Sequence, residues 1–337
     1  MTQPHPAPSP ERIFTLLHGF HQTAVLQTAL ELDLFTHVGA GAHAVDQLAA
    51  LTHAAPRGLH ILCNALVVFG LLEKAGPQYR LAPEAAAFLD RNSPAYVGGV
   101  TRFLLGPVTR DKMAHLTDAV RRGGDLPETP SMEPDSAYWV EFARSMAAMM
   151  AMPAQWLAEL LQPEPLVPCR VLDVAAGHGL FGIAMARRNP KAEIHALDWP
   201  AVLALARENA AQAGIAERYH SLPGNALERD LGSGYNWVLL TNFLHHFDFP
   251  TCVAFLRRVR AALAPSGQVA VLEAVVDADE VNPSFASLFN LIMLTTTPAG
   301  KAYTWPEFQA MFGEAGFSHS ALRELPAGWE RVVVARA

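Results

Sequence analysis

Val171-Leu172-Asp173-Val174-Ala175-Ala176-Gly177-His178-Gly179-Leu180-Phe181-Gly182 is the stretch on which the reading of this chain turns. Residues 171–174 are apolar and β-branched around one acid, as at the end of a buried strand. Ala175, Ala176, Gly177 and Gly179 carry little or no side chain, so the backbone can turn sharply and approach a ligand. Leu180, Ile183, Ala184 and Arg187 then recur at helical spacing, and Pro190 ends the run. Strand, glycine turn and helix in this order build a nucleotide-type site at the carboxyl end of a parallel sheet. Residues 177–182 also spell G-x-G-x-x-G, and Asp198 follows at the spacing of a ribose-binding acid. A dinucleotide enzyme, a methyltransferase and a plain tight turn all fit this stretch taken alone.

Downstream, strands and helices alternate. Residues 193–198, 220–223, 237–241 and 268–276 read as strands, and 201–213 and 249–263 as helices. Helices at 285–294 and 305–314 and two late strands, near 317–325 and 331–335, complete the pattern. Repeated βα units predict an α/β fold with a doubly wound, mostly parallel sheet.

Upstream, residues 1–10 hold four prolines and little to bury, which predicts a disordered tail. Helical patterns over 12–30, 45–50 and 57–69 precede a hairpin of residues 71–74, a turn over 75–78 and residues 79–81. Helices closed by one hairpin suggest a winged-helix unit. DNA is excluded as its partner, because residues 1–165 carry 11 basic and 16 acidic side chains and the whole chain has a formal charge of −7. Residues 93–161 are helical, with a break near Gly123-Gly124 and a proline-rich stretch over 126–134. The methionines within 142–156 serve either as adaptable core packing or as one wall of an apolar pocket. Three prolines in residues 162–168 place a domain boundary there. Cys63, Cys169 and Cys252 form neither a disulfide framework nor a metal pair. No apolar run is long enough to span a membrane and the first ten residues lack a signal pattern, so a cytoplasmic protein without membrane partners is expected.

In a doubly wound sheet, ligands gather at the carboxyl ends of the strands. Those ends carry Asp173, Asp198, Asn225, residues 241–246 and Glu273. Asp198 suits a ribose diol, or else caps the helix starting near Pro200. Trp199 offers a flat face to an adenine ring or fills core. His245 and His246 follow the fourth strand, where an imidazole titrating near neutrality could take a proton from an acceptor hydroxyl. Glu273 could hold one ring nitrogen and fix the tautomer, or pair with a nearby arginine. A metal reading of His245, His246 and Asp248 is weak, since adjacent residues rarely converge on one ion, and no metal is expected.

Together these positions resemble the O-methyltransferase family that includes plant caffeic acid and acetylserotonin O-methyltransferases and bacterial antibiotic-tailoring enzymes of secondary metabolism. The resemblance runs from about Glu11 to the C-terminus. It implies a class I, Rossmann-like S-adenosylmethionine-binding domain (residues 169–337) behind a winged-helix-like dimerisation domain (11–92) and a helical pocket-forming linker (93–168). D-V-A-A-G-H-G is similar to the family's D-x-G-x-G-x-G, with Ala175 where the first glycine is usual, a substitution that fits if its φ is negative. The resemblance assigns Asp173, Ala175, Gly177, Gly179, Asp198, Gly224, Asn225 and Ala226 to the cofactor, with Asn225 replacing an aspartate, and Trp199 and Thr241 join them by their place at the strand ends. His245 falls on the catalytic base and Glu273 on its supporting glutamate. His246 replaces an aspartate, and Ala302 stands where many plant members have a second glutamate. Phe142, Met146, Met149, Phe285, Met293 and Leu294 would form an apolar acceptor pocket, with Asn290 as a polar orienter. The expected reaction is methylation of an aromatic or polyketide-like hydroxyl by a homodimer joined through the first domain. Methyl transfer to carbon, sulfur or nitrogen is the alternative, and a non-catalytic binding protein on the same fold is a third reading. A nicotinamide dehydrogenase fits less well because the glycine turn opens the second domain. A nucleic-acid methyltransferase would need an N/D-P-P-Y/F segment where this chain has Asn242-Phe243-Leu244-His245.

Overall fold

Alternation of β-branched and alanine-rich segments beyond Pro168 produces a single sheet covered by helices, as seen in a computed structural model that describes residues 8–124, 137–162 and 166–337. The chain separates into two compact units, one ending at Leu105 and the other starting at Gly106. Residues 1–7 of the expected tail, the proline-rich stretch over 126–134 and residues 163–165 of the expected boundary lie outside the described residues.

The first unit is helical. Helices Glu11–Leu17, Gly19–Glu31, Leu34–Gly39, Val45–Thr52 and Pro56–Val68 lead into a hairpin of β1 (Leu72–Ala75) and β2 (Gln78–Leu81). The expected single helix over 12–30 is two helices, separated at His18. Their partners in the core are Leu34, Phe35, Leu48, Leu59, Leu66 and the wholly buried Tyr79. Tyr79 ties the hairpin to the helices through its hydroxyl, which donates to Asn64 Oδ1 at 2.9 Å. The outer face is unusually apolar: Ile13, Phe14, Leu16, Leu17 and Phe20 are all more than half exposed.

The second unit holds a seven-stranded sheet of β3 (Cys169–Val174), β4 (Ala192–Asp198), β5 (Tyr219–Pro223), β6 (Tyr235–Thr241), β7 (Leu263–Glu273), β8 (His319–Glu324) and β9 (Arg331–Arg336). Its order is β5-β4-β3-β6-β7-β9-β8, with β9 antiparallel to both neighbours and the first five strands parallel. The central strands read as nearly unbroken apolar runs because helices cover both faces. Val171, Leu172, Val238, Leu239, Val269 and Val271 are fully buried. Strand order reverses between β3 and β6, so the crevice for a ligand opens at the carboxyl ends of those two strands.

The helices between Gly106 and β3 belong to this unit as well, within the stretch 93–168 where the sequence pattern suggests a linker. Pro107–Ala114 and Leu116–Arg122 pack on Ser284–Thr296, and Ala137–Leu161 packs on Leu180–Arg188 and Pro200–Gln212. The helix ends at Leu161 and keeps its buried face, Met146, Met150, Ala154 and Leu157, against the sheet-covering helices. Backbone breaks and packing boundaries therefore fall at different places. Among the described residues, no helix is long and apolar enough to cross a membrane.

Candidate active site

On one side of the crevice stands the turn after β3. Ala175 adopts φ 50°, Gly177 φ 55° and Gly179 φ 76°, so the turn is left-handed three times over. The expectation that Ala175 keeps a negative φ is therefore corrected: its β-carbon sits in a region that costs an L-residue about 1–2 kcal/mol. Ala175→Gly is expected to raise the free energy of unfolding by about 1 kcal/mol, read by denaturant titration. Gly179 and Gly182 are required by packing. A β-carbon at Gly179 would lie 2.5 Å from the Tyr219 hydroxyl, and one at Gly182 would lie 2.6 Å from Ile194 Cγ2 and 3.0 Å from Asp173 Oδ2.

Two acids brace this turn. Asp173 is buried at the end of β3, and its Oδ2 accepts from the Gly182 amide at 3.0 Å. Its Oδ1 is buried without any hydrogen-bond partner among the described residues. Burial pushes the Asp173 carboxyl up to about 7, opposed by the Gly182 amide and reinforced by Asp198. Asp198 accepts from the amides of Gly177 at 2.8 Å and Trp199 at 2.7 Å, and burial lifts it to about 6. It is no helix cap, since the N-cap of Pro200–Gln212 is Trp199. An unpaired buried carboxyl oxygen beside glycine amides fits a ligand carrying a cationic group, the kind of partner that would return the acid to its charged form.

After β5, Gly224 takes φ 144° and donates its amide to the Asp198 carbonyl at 3.0 Å. Asn225 is half-buried, but both ends of its amide are in local use: Oδ1 accepts from the Leu227 amide at 3.0 Å and Nδ2 donates to Glu228 Oε1 at 3.0 Å. Ala226 is buried in the core beside them, and Thr241 is buried at the end of β6.

Across the crevice, the short 3₁₀ turn Leu244–His246 presents the histidine pair. Glu273, at the end of β7, closes on this turn from below. Its Oε1 accepts from the amides of Phe243 at 2.9 Å, Leu244 at 2.8 Å and His245 at 3.4 Å. Its Oε2 lies 2.5 Å from His245 Nδ1, with both side chains almost wholly buried. Cys252 Sγ donates to the Leu244 carbonyl at 3.3 Å, and the Tyr303 hydroxyl donates to the Phe247 carbonyl at 2.7 Å. The turn is thus fixed from three elements. A carboxylate on Nδ1 favours the tautomer that carries the ring proton there and the lone pair on Nε2. His246 packs at 4.3 Å between ring centroids from His245 and edge-on to Trp139 at 6.0 Å. Burial, with His245 beside it, holds His246 well below the usual histidine range, so it is neutral. Asp248 caps the helix Phe249–Ala262 by accepting from the Thr251 amide at 2.9 Å, which takes it out of any metal set with the two histidines.

The predicted pocket residues divide. Met146 and Met293 are buried, while Phe142, Met149 and Leu294 are half-buried. Phe285 is 56 % exposed and packs on Trp329, with the rings of Trp329 and Phe289 between it and His245. The ring actually touching His245 is Phe289, edge-on at 5.0 Å, one helical turn along the same face. Asn290 Oδ1 accepts from the Ala302 amide at 2.7 Å, so that oxygen braces a loop. Sequence reasoning missed Phe289, Trp329, Trp139 and the buried Glu330. Phe289 was within reach, since it lies four residues beyond Phe285 in a predicted helix.

Comparison with known proteins bears on this geometry. The model of the O-methyltransferase domain matches residues 130–318, more than half of the chain. The chain belongs to the O-methyltransferase family. An O-methyltransferase dimerisation domain matches residues 14–91. The Streptomyces sahachiroi 3-hydroxy-5-methyl-1-naphthoate 3-O-methyltransferase is 30 % identical over 92 % of this chain and 90 % of its own length. A Nostoc punctiforme structure, provisionally assigned as an O-methyltransferase, is 43 % identical with a TM-score of 0.94 and covers 98 % of this chain and 100 % of that one. Human N-acetylserotonin methyltransferase, solved with S-adenosylmethionine, shares the fold at a TM-score of 0.84 and 22 % identity, covering 100 % of this chain and 99 % of that one. The family is S-adenosylmethionine-dependent, and this O-methyltransferase family member is a methyltransferase using that cofactor.

Proposed function

We propose that the protein methylates a hydroxyl of a small aromatic or polyketide-like acceptor, with His245 as general base. The observation that carries this reading is the 2.5 Å contact between His245 Nδ1 and Glu273, which supports a tautomer with its lone pair on Nε2. The aromatic hydroxyl named for the Streptomyces sahachiroi relative supports the same acceptor class.

The cofactor supplies an electrophilic methyl group on a sulfonium, so the protein's work is alignment and proton removal. Asp173 would meet the cationic amino-acid end through its unpaired Oδ1, beside the glycine turn of Ala175, Gly177 and Gly179. Asp198 and Trp199 would take the ribose and adenine faces, and Gly224, Asn225, Ala226 and Thr241 would line the remainder. His245 Nε2 takes the proton of the acceptor hydroxyl, whose ordinary pKa near 10 leaves little anion at neutral pH. Glu273 holds the resulting imidazolium. Met146, Met149, Phe289 and Trp329 exclude water from the acceptor.

A thermal-shift titration tests the cofactor assignment. S-adenosylhomocysteine is expected to raise the melting temperature with concentration and NAD to leave it unchanged. The reverse result would sink the methyltransferase site. The acids set a pH dependence with opposite signs in the two states. Asp173 and Asp198 are raised above their unfolded values, so they contribute stability to the free protein below the ordinary carboxylate range. That contribution is lost as pH rises through about 6 and then about 7. Cofactor binding wants Asp173 charged. The shift produced by S-adenosylhomocysteine should therefore grow between pH 5.5 and pH 8, on the order of tenfold in affinity per pH unit below the Asp173 pKa. A flat affinity over that range would detach Asp173 from the cofactor's charge.

The apolar face carrying Phe14, Leu16, Leu17 and Phe20 supports a homodimer through the first unit. Sedimentation should give a dimer that Phe20→Glu combined with Leu16→Glu converts to monomer. The three free cysteines agree with a reducing, cytoplasmic setting.

A further inference from the structure

Three adjacent strands bring acids or their partners to the end of the sheet that holds His245, and one of these groups has no part in the proposed methyl transfer. Glu330 immediately precedes β9, whose first residue, Arg331, is in register with Glu273 on β7. Asn242 immediately follows β6, and its amide donates to the Leu272 carbonyl of β7 at 2.9 Å. Glu330 is only 5 % exposed. The Asn242 side chain and the Glu273 carboxyl both lie close enough to act on the Glu330 carboxyl. Its Oε1 is buried with no hydrogen-bond partner among the described residues.

Asn242 is the hinge of this arrangement. It sits at φ 54° and opens the turn whose next three amides close on Glu273. Its side chain lies beside Glu330 and reaches Met150 Sδ at 3.7 Å. A carboxyl at the entry to β9 thus lies beside the same turn that Glu273 restrains from β7. Trp329, the next residue back, stacks on Phe289, which stands edge-on to His245.

We propose that Glu330 is a positioning residue for the His245 base, acting on it through Asn242 and through Glu273. The proposal rests on reading His245 as that base. Among the described residues no ion pair neutralises Glu330: Arg331 is turned to Asp277 and Glu324, and the titratable groups on the elements beside it include Glu273, the rings of His245 and His246, Cys252 and Tyr303. Burial lifts the Glu330 carboxyl to about 7, with the Glu273 charge adding to the rise and Asn242 opposing it. With Glu330 neutral, Glu273 is the sole anion under the imidazole and the proton carried by Glu330 keeps the two acids from repelling. As pH rises through neutrality, Glu330 ionises and a second negative charge arrives beside the base. The ring nitrogens feel that added charge.

The test needs no acceptor. Imidazole nitrogen shifts of His245 are followed by NMR in full-length protein labelled with nitrogen-15 histidine, the signal being identified by its loss in His245→Gln. Wild type should show an inflection near pH 7 besides any titration of the ring itself, and Glu330→Gln should lose that inflection. Asn242→Gly, which suits the left-handed backbone, removes the amide that favours the carboxylate and should move the inflection to higher pH. This second variant keeps the question answerable if the first does not fold. An inflection missing from wild type, or unchanged in both variants, overturns the proposal. Turnover of His245→Ala is measured separately: if it stays high, the base reading fails, whatever Glu330 does to the shifts.

Discussion

His245→Ala is expected to lower kcat by about 10²–10⁴, the span that general base catalysis typically contributes. Affinity for S-adenosylhomocysteine should stay within about twofold, because the turn after β3 and the turn after β6 are braced independently. Asp173 and Asp198 hold the first; Glu273, Cys252 and Tyr303 hold the second. The fold should survive, since three backbone amides still satisfy Glu273 after the ring is gone. The pH dependence separates a lost base from a general loss of alignment. Without the imidazole, the acceptor hydroxyl must ionise by itself, so turnover should climb with pH toward the phenolic value near 10. Steady-state kinetics at saturating cofactor from pH 6 to pH 10 reads both effects. A variant with wild-type turnover at pH 7 would remove His245 from proton transfer.

Strand direction explains why some of the site is legible in the sequence and some is not. Parallel strands expose their carboxyl ends at the ligand edge, so Asp173, Asp198 and Glu273 are found by looking to the carboxyl end of each apolar run. The same rule finds the turn that presents His245. It fails at β9, which is antiparallel and reaches that edge with its first residue. Trp329 and Glu330 enter the site from a position the rule assigns to the opposite end. Periodicity likewise places the helix at Ser284–Thr296 without saying which of Phe285 and Phe289 meets His245, because both lie on one helical face.

Backbone geometry is the other hidden layer. Ala175 looks like a mild replacement for glycine, yet the turn demands φ 50° there, and composition alone carries no sign of φ. Asn225 looks free to meet a ligand, yet its side chain is spent on Leu227 and Glu228, contacts made within three residues of it. Domain limits escape the sequence for a related reason. The prolines after Leu161 mark where a helix must stop, whereas the division after Leu105 depends on which apolar faces find each other.

Glu273 should separate stability from chemistry more sharply than any other residue. Glu273→Ala removes the acceptor for three buried amides and for His245 Nδ1 at once. Each orphaned buried donor costs about 1–3 kcal/mol, and after the turn relaxes a net loss of more than about 3 kcal/mol is expected in denaturant unfolding. Glu273→Gln is the informative companion. Its side-chain oxygen can keep accepting from Phe243 and Leu244, so the fold should lose no more than about 1–2 kcal/mol. Its NH₂ group, however, would face Nδ1 as a donor. The ring must then hold its proton on Nε2 and present a donor to the acceptor hydroxyl where a lone pair is needed. Turnover should fall by about 10²–10⁴ in a protein that is folded and binds S-adenosylhomocysteine normally. If Glu273→Gln keeps its turnover, Nε2 is not where the proton goes, and the buried pair serves only to hold the turn.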